Sequence, residues 1–191
     1  TEDGGSGNVA IGFEALKDLD AGADAGTVAI GYKAGENMTT GVANIVIGSN
    51  AGDAMLTSNY SVAIGTNSLS AEDAESNNTA IGYNTLRVMD GGADNTVVGF
   101  EAGDAVTTGD QNVLLGSKAG ETITTGQNNV VIGYDIDTSA VGASNEIVIG
   151  NTSHTNARVY GLRTPVTATT GDTTLTANDS GETFVFNDAA A

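Results

Sequence analysis

The chain has no cysteine and no tryptophan, one proline, Pro165, and one histidine, His154. Without cysteine, neither a disulfide nor a thiolate metal site is available. The lone histidine has Asn156 and Arg158 as neighbours and no evident Ser-Asp partnership, which argues against a nucleophile–base triad. Aromatic residues are only 5% of the chain, so a large aromatic core is excluded. Bases are scarce too: 6 against 24 acids, a net charge of −18. A nucleic-acid surface needs a basic stripe, and anionic lipid attracts basic segments, so neither is an expected partner. No apolar run approaches the roughly 18 residues needed to cross a bilayer, so membrane insertion is not expected. The chain opens Thr-Glu-Asp, with neither Met nor a signal peptide, and is expected to be processed, excised or incompletely registered there.

Glycine, by contrast, is plentiful, at 27 of 191 residues. One set recurs at a nearly fixed interval: Gly12, Gly31, Gly48, Gly65, Gly82, Gly99, Gly116, Gly133 and Gly150. Gly12 to Gly31 is a step of 19, and each later step is 17. Such a period marks a stacked repeat protein. Each anchor glycine closes a short, largely β-branched run, such as Val28-Ala29-Ile30 or Ile45-Val46-Ile47. These runs read as short strands ended by a turn, and no helical pattern fits between the glycines. The third residue past the anchor is small (Ala15, Ala34, Ala51, Ser68, Thr85). The fourth is Gly or Leu (Leu16, Gly35, Gly52, Leu69, Leu86). The seventh is apolar (Leu19, Met38, Met55, Met89, Val106, Ile123), with Glu72 the exception.

One such unit cannot bury its own apolar face. Stacking achieves it by laying like over like in coils about 4.8 Å apart, which makes a body on the order of 40 Å long. The fourth residue before the anchor is usually Asn (Asn8, Asn44, Asn78, Asn95, Asn112, Asn129), with Thr27 and Ser61 as stand-ins. Stacked Asn side chains are expected to form a hydrogen-bonded ladder along the coils. The expected fold is therefore all-β, a repetitive parallel β-roll or β-helix of about nine 17-residue coils. The array spans residues 1–150. A neck or exit segment follows at 151–165, and a small C-terminal β module, which stops where one more strand is expected, occupies 166–191.

The stretch Asn78 to Gly103 reads Asn-Thr-Ala-Ile-Gly-Tyr-Asn-Thr-Leu, then Asn-Thr-Val-Val-Gly-Phe-Glu-Ala-Gly one period later. It resembles the 17-residue Asn-Thr-Ala-Val-Gly-Tyr repeats of phage fibre proteins. With a longer period, it is similar to the head repeats of YadA-like trimeric adhesins. The resemblance covers about Gly7 to Gly161. It implies a parallel homotrimer on a virion or an extracellular surface, with other virion proteins and a host surface glycan or protein as partners. The segment Asn145 to Leu162 looks like the exit from such repeats, and Thr170 to Ala191 resembles a short β module of fibre and head-fibre proteins. The function this implies is a non-enzymatic phage tail or capsid fibre segment that spaces or presents a host-binding surface. The head domain of a bacterial surface adhesin is the alternative.

Several residue groups invite other chemistry. Asp18, Asp20 and Asp24 set three carboxylates around a glycine turn, a candidate calcium site that lacks the full twelve-residue loop pattern. A solvated acidic turn is the simpler reading, and no other cofactor is indicated. Glu72, Asp73 and Glu75 would be the carboxylates of a polysaccharide depolymerase, but three adjacent acids in a turn more simply make a solvated loop. The Thr-Thr-Gly closures (Thr39 to Gly41, Thr107 to Gly109, Thr124 to Gly126) raise an ice-binding face, yet the threonine rows are broken. Aromatic residues follow the anchor at Phe13, Tyr32, Tyr83, Phe100 and Tyr134. Tyr32, Tyr83 and Tyr134 are candidate receptor contacts, with packing at a coil edge or between subunits as the simpler reading. Arg158 and Arg163 flank Tyr160 and would pair with a neighbouring subunit in the neck.

Overall fold

The computed structural model describes residues 7–20, 26–71 and 77–153. Nine three-residue strands line up in chain order: β1 (Val9–Ile11), β2 (Val28–Ile30), β3 (Ile45–Ile47), β4 (Val62–Ile64), β5 (Thr79–Ile81), β6 (Thr96–Val98), β7 (Val113–Leu115), β8 (Val130–Ile132) and β9 (Ile147–Ile149). All neighbours pair in parallel and in register, Val9 on Val28, Val28 on Ile45, Ile45 on Val62. This is a parallel β-solenoid. Nine strands bound about eight complete turns, one fewer than the anchor glycines suggest, because a turn needs a strand at each end. The expected neck is described only to residue 153, and the expected module at 166–191 lies outside the described residues.

Backbone pairing runs beyond the strands. The Val28 amide donates to the Asn44 carbonyl at 2.8 Å, Gly48 to Ile30 at 2.8 Å, and Asn50 to Tyr32 at 2.9 Å. Each turn must then bend away from the sheet and return within a single repeat. It does so at backbone positions of positive φ, which in the fifth coil include Asn77 (64°), Gly82 (144°), Asn84 (52°), Leu86 (50°) and Gly91 (131°). Asn and Gly tolerate this region, which explains their abundance.

The anchor glycine is required twice over. Gly65 has φ 133°, and a Cβ built on it would collide with the carbonyl of Gly82 in the next coil. The same crowding recurs from Gly12 to Gly116. The strands can therefore approach one another only along an unbroken glycine column.

Inside the coil, the middle strand residue (Ala29, Val46, Ala63, Ala80, Val97, Leu114, Val131) is fully buried. It meets the small residue three past the anchor and the apolar residue seven past it, among them Met38, Met55 and Met89. The core is a thin aliphatic column. Beside it the expected asparagine ladder is present. Asn95 donates its backbone amide to Asn78 Oδ1 at 3.0 Å, Asn112 to Asn95 Oδ1 at 2.9 Å, and Asn129 to Asn112 Oδ1 at 3.1 Å. The side-chain amides also donate across the coil, from Asn95 to the Gly109 carbonyl and from Asn112 to that of Gly126, both at 2.9 Å. Thr27 and Ser61 keep the ladder continuous by accepting from the Asn44 and Asn78 amides through their hydroxyls.

Candidate interaction surface

A three-residue strand sends its middle side chain to one face and its two flanking side chains to the other. Here the middle residue enters the coil, so the first and third residues face outward. The third residues form one aliphatic column, Ile11, Ile30, Ile47, Ile64, Ile81, Val98, Leu115, Ile132 and Ile149. The first residues form a second column, in which only Thr79 and Thr96 depart from Val and Ile. Ile11, Ile45, Ile132, Ile147 and Ile149 are exposed, and most of the others are half-buried by their own neighbours. The outward face of the nine-stranded sheet is thus a continuous apolar strip about 40 Å tall. A typical monomer's largest apolar patch is about 300–600 Å² and often marks an interaction site.

Beside this strip runs the aromatic ridge. Phe13 and Tyr32 stack at 5.6 Å between centroids, and Tyr83 and Phe100 at 5.3 Å. Ser49 and Thr66 interrupt the ridge after the first pair and Ser117 after the second; Tyr134 then stands 63% exposed. The three tyrosines singled out in the sequence therefore lie on one line along the rod, at the surface.

Next along the turn lie two columns of charged and amide residues, two and five positions past the anchor. Lys33 pairs with Glu36 at 2.9 Å and with Glu14 at 3.4 Å, and Lys17 reaches Glu36 at 3.3 Å. Arg87 pairs with Asp104 at 2.7 Å, and Lys118 with Glu121 at 3.0 Å and Glu101 at 3.6 Å. Every basic residue among the described ones is neutralised in this way. These bonds hold the Glu36 carboxyl below the ordinary carboxylate value, the Lys33 ammonium being the chief cause. Asp53, one coil further along, goes the other way. Burial raises its value, and its Oδ1 is enclosed without a hydrogen-bond partner.

Comparison with protein-family profiles, with curated proteins and with solved structures gives no match to this chain.

The chain is a repetitive parallel β-solenoid with a 17-residue repeat, known by its geometry alone. Of the calcium candidates, Asp18 and Asp20 have their backbones tied into the stack, through amide bonds to the Glu36 and Thr39 carbonyls at 3.2 and 2.8 Å. Asp24 lies outside the described residues, among which no group of three Asp, Glu or His side chains converges on a cation position. Glu72, Asp73, Glu75, His154, Arg158 and Arg163 also lie outside them. The two-sided character of the strands escaped the sequence reading, which treated each run as uniformly apolar. The signal was present: in Val-Ala-Ile a small residue sits between two bulky ones, the alternation of a strand with two different faces.

Proposed function

We propose that this chain is a non-enzymatic segment of a virion fibre, assembled as a parallel homotrimer, that spaces or presents a host-contacting surface. The observation that carries the assembly is the outward face of the sheet. An aliphatic strip of that length, interrupted only by Thr79 and Thr96, is costly to leave in water, at about 25 cal/mol per Å². A second and third copy in parallel would place each outward side chain against its own copy at every level of the stack, as the closed symmetry of a homo-oligomer requires. The charged columns lie past the aromatic ridge, outside this strip, so association would bury no unpaired base. The virion placement and the number three come from the resemblance of the repeat units to phage fibres. A rod of identical levels acts mechanically and by multivalency: each contact recurs on three chains, and weak sites gain avidity.

The test is solution mass by light scattering after size exclusion. A mass near three times the chain's 19.0 kDa is expected. A stable monomer at micromolar concentration would sink the fibre reading and leave a self-contained solenoid.

A further inference from the structure

We propose that the aromatic ridge is a binding surface for neutral glycans, with its sites at the gaps where Ser or Thr replaces an aromatic ring. The inference deepens the reading of the chain as a presenting rod, and it rests on that reading.

The geometry begins with the stacked pairs. Phe13 and Tyr32 are 10° from parallel and Tyr83 and Phe100 are 12° from parallel, with centroid spacings of 5.6 and 5.3 Å. These spacings are close to the coil step of about 4.8 Å, so the rings lie across the rod and stack along it. Each pair covers the faces its members turn to each other, and the Lys33 ammonium also lies over the Tyr32 ring, 5.8 Å from its centroid. Toward the gaps the next residue is Ser49 below Tyr32, Thr66 above Tyr83 and Ser117 below Phe100, none of which can cover a ring. Tyr134 and Phe100 are two coils apart, about 10 Å, with Ser117 between them. One ring in van der Waals contact on both faces needs about 7–8 Å. Tyr32 and Tyr83 are three coils apart, about 14 Å, with the Ser49 and Thr66 hydroxyls between them.

A gap with aromatic rings at its two ends and a Ser or Thr between them would be two-sided in the way a pyranose is. The sugar's C–H faces would lie on the rings, and its equatorial hydroxyls would meet Ser117 or Thr66 and the polar column beside them. Charge narrows the class. Lys118, next to the slot, is held by Glu121 and Glu101, and the chain carries a net charge of −18. Uronic acids, sialic acids and sulfated chains would therefore meet repulsion with no free base among the described residues to offset it. Neutral hexose or N-acetylhexosamine units fit.

The experiment uses the full chain on a printed panel of neutral gluco-, galacto- and N-acetylglucosamine oligosaccharides, with heparin and polysialic acid as anionic probes. Titration calorimetry on the strongest binder follows. The expected result is binding to neutral oligosaccharides only. Tyr134→Ala and Tyr32→Ala should each weaken it about 5- to 10-fold, the worth of one aromatic contact. Ser117→Phe fills the slot between Phe100 and Tyr134. It should abolish binding there while raising the melting temperature, because it continues the ring stack. Circular dichroism and solution mass should be unchanged in all three variants. No binding to any neutral oligosaccharide by correctly assembled chain overturns the inference and leaves the rod intact. Tighter binding to the anionic probes overturns it too. A fall in solution mass in the tyrosine variants would assign the ridge to contacts between chains and likewise overturn it. A monomer that binds neutral glycans would remove the trimer and keep the ridge.

Discussion

Gly52 and Leu69 occupy the same place in successive turns, four residues past the anchor, with φ of 52° and 48°. A leucine there is strained, by roughly 1–2 kcal/mol, yet Leu16, Leu69 and Leu86 all accept it and are buried. The reason is volume. Where this position is Leu, the middle strand residue is Ala (Ala10, Ala63, Ala80). Where it is Gly, the middle residue is Val46, Val97 or Leu114. Ala29 with Gly35 is the exception, and there the Leu16 side chain of the coil before fills the space, its Cδ2 3.0 Å from where a Gly35 Cβ would stand. A Cβ on Gly52 would meet Met55 Sδ at 2.5 Å and Val46 Cγ1 at 3.2 Å. Gly52→Leu alone should therefore cost about 3 kcal/mol by overpacking and Val46→Ala alone about 2. The double variant should cost less than their sum by about 1 kcal/mol or more, measured as a double-mutant cycle in urea. Asp53 and Glu36 offer a second test, in pH. The Asp53 value is raised, so its contribution is most favourable below the ordinary aspartate value and is lost as pH rises through the raised one. The Glu36 value is lowered, so its contribution is present above the ordinary glutamate value and is lost as pH falls through the lowered one. Asp53→Asn should raise the melting temperature at neutral pH, and the gain should vanish near about pH 3, where the parent aspartate is protonated. A gain independent of pH would refute the burial account.

Each coil is tied to the next by the same set of bonds, so the asparagine ladder behaves as one element running the length of the rod. Asn95 Oδ1 accepts from both the backbone and side-chain amides of Asn112, while its own Nδ2 donates to the Gly109 carbonyl. Asn95→Ala would leave these buried groups without partners, at a cost of about 3 kcal/mol. Because neighbours in a solenoid support each other one step at a time, the loss should stay local. Hydrogen exchange should show loss of protection at the Asn112 amide, with the Asn129 and Asn44 amides, one and three coils away from Asn112 and Asn95, little changed. Uniform loss along the rod would mean that the coils unfold as a single unit. At the far end of the ladder, Glu146 takes the asparagine place. Its amide donates to Asn129 Oδ1 at 3.0 Å, and its carboxylate accepts from the Ser139 amide and hydroxyl, which lowers its proton affinity. The ladder's last acceptor is thereby used and the chain folded back on itself.

The rod as a whole separates its surfaces by chemistry: an aliphatic strip, an aromatic ridge, two columns of paired charges and a side of Thr and Gly turns. The strip is the face built of aliphatic side chains at nearly every level, and on that ground it is the face proposed for association. In the proposed homotrimer, Ile64→Glu, at the centre of the strip, would put three carboxylates together on the three-fold axis. The expected outcome is a shift of solution mass from three chains to one, with the β-type circular dichroism retained, because Ile64 faces away from the coil interior. A trimeric mass in Ile64→Glu would move the interface elsewhere on the rod.

The period of 17, the strand positions, the glycine column and the asparagine ladder were all legible in the amino-acid order, because each depends on contacts between residues one repeat apart. A repeat protein writes its long-range contacts as local similarity. The division of each strand into an inward and an outward face, the pairing of Lys33 with Glu14 and Glu36, and the unpartnered Asp53 oxygen were not legible. They depend on how tightly the chain turns between anchors and on which columns that curvature brings together. The aromatic residues show both parts of the matter. Their recurrence after the anchor was plain in the sequence, but only the folded coil stacks Phe13 on Tyr32 and Tyr83 on Phe100, because the coil step is close to the spacing at which two rings rest on each other.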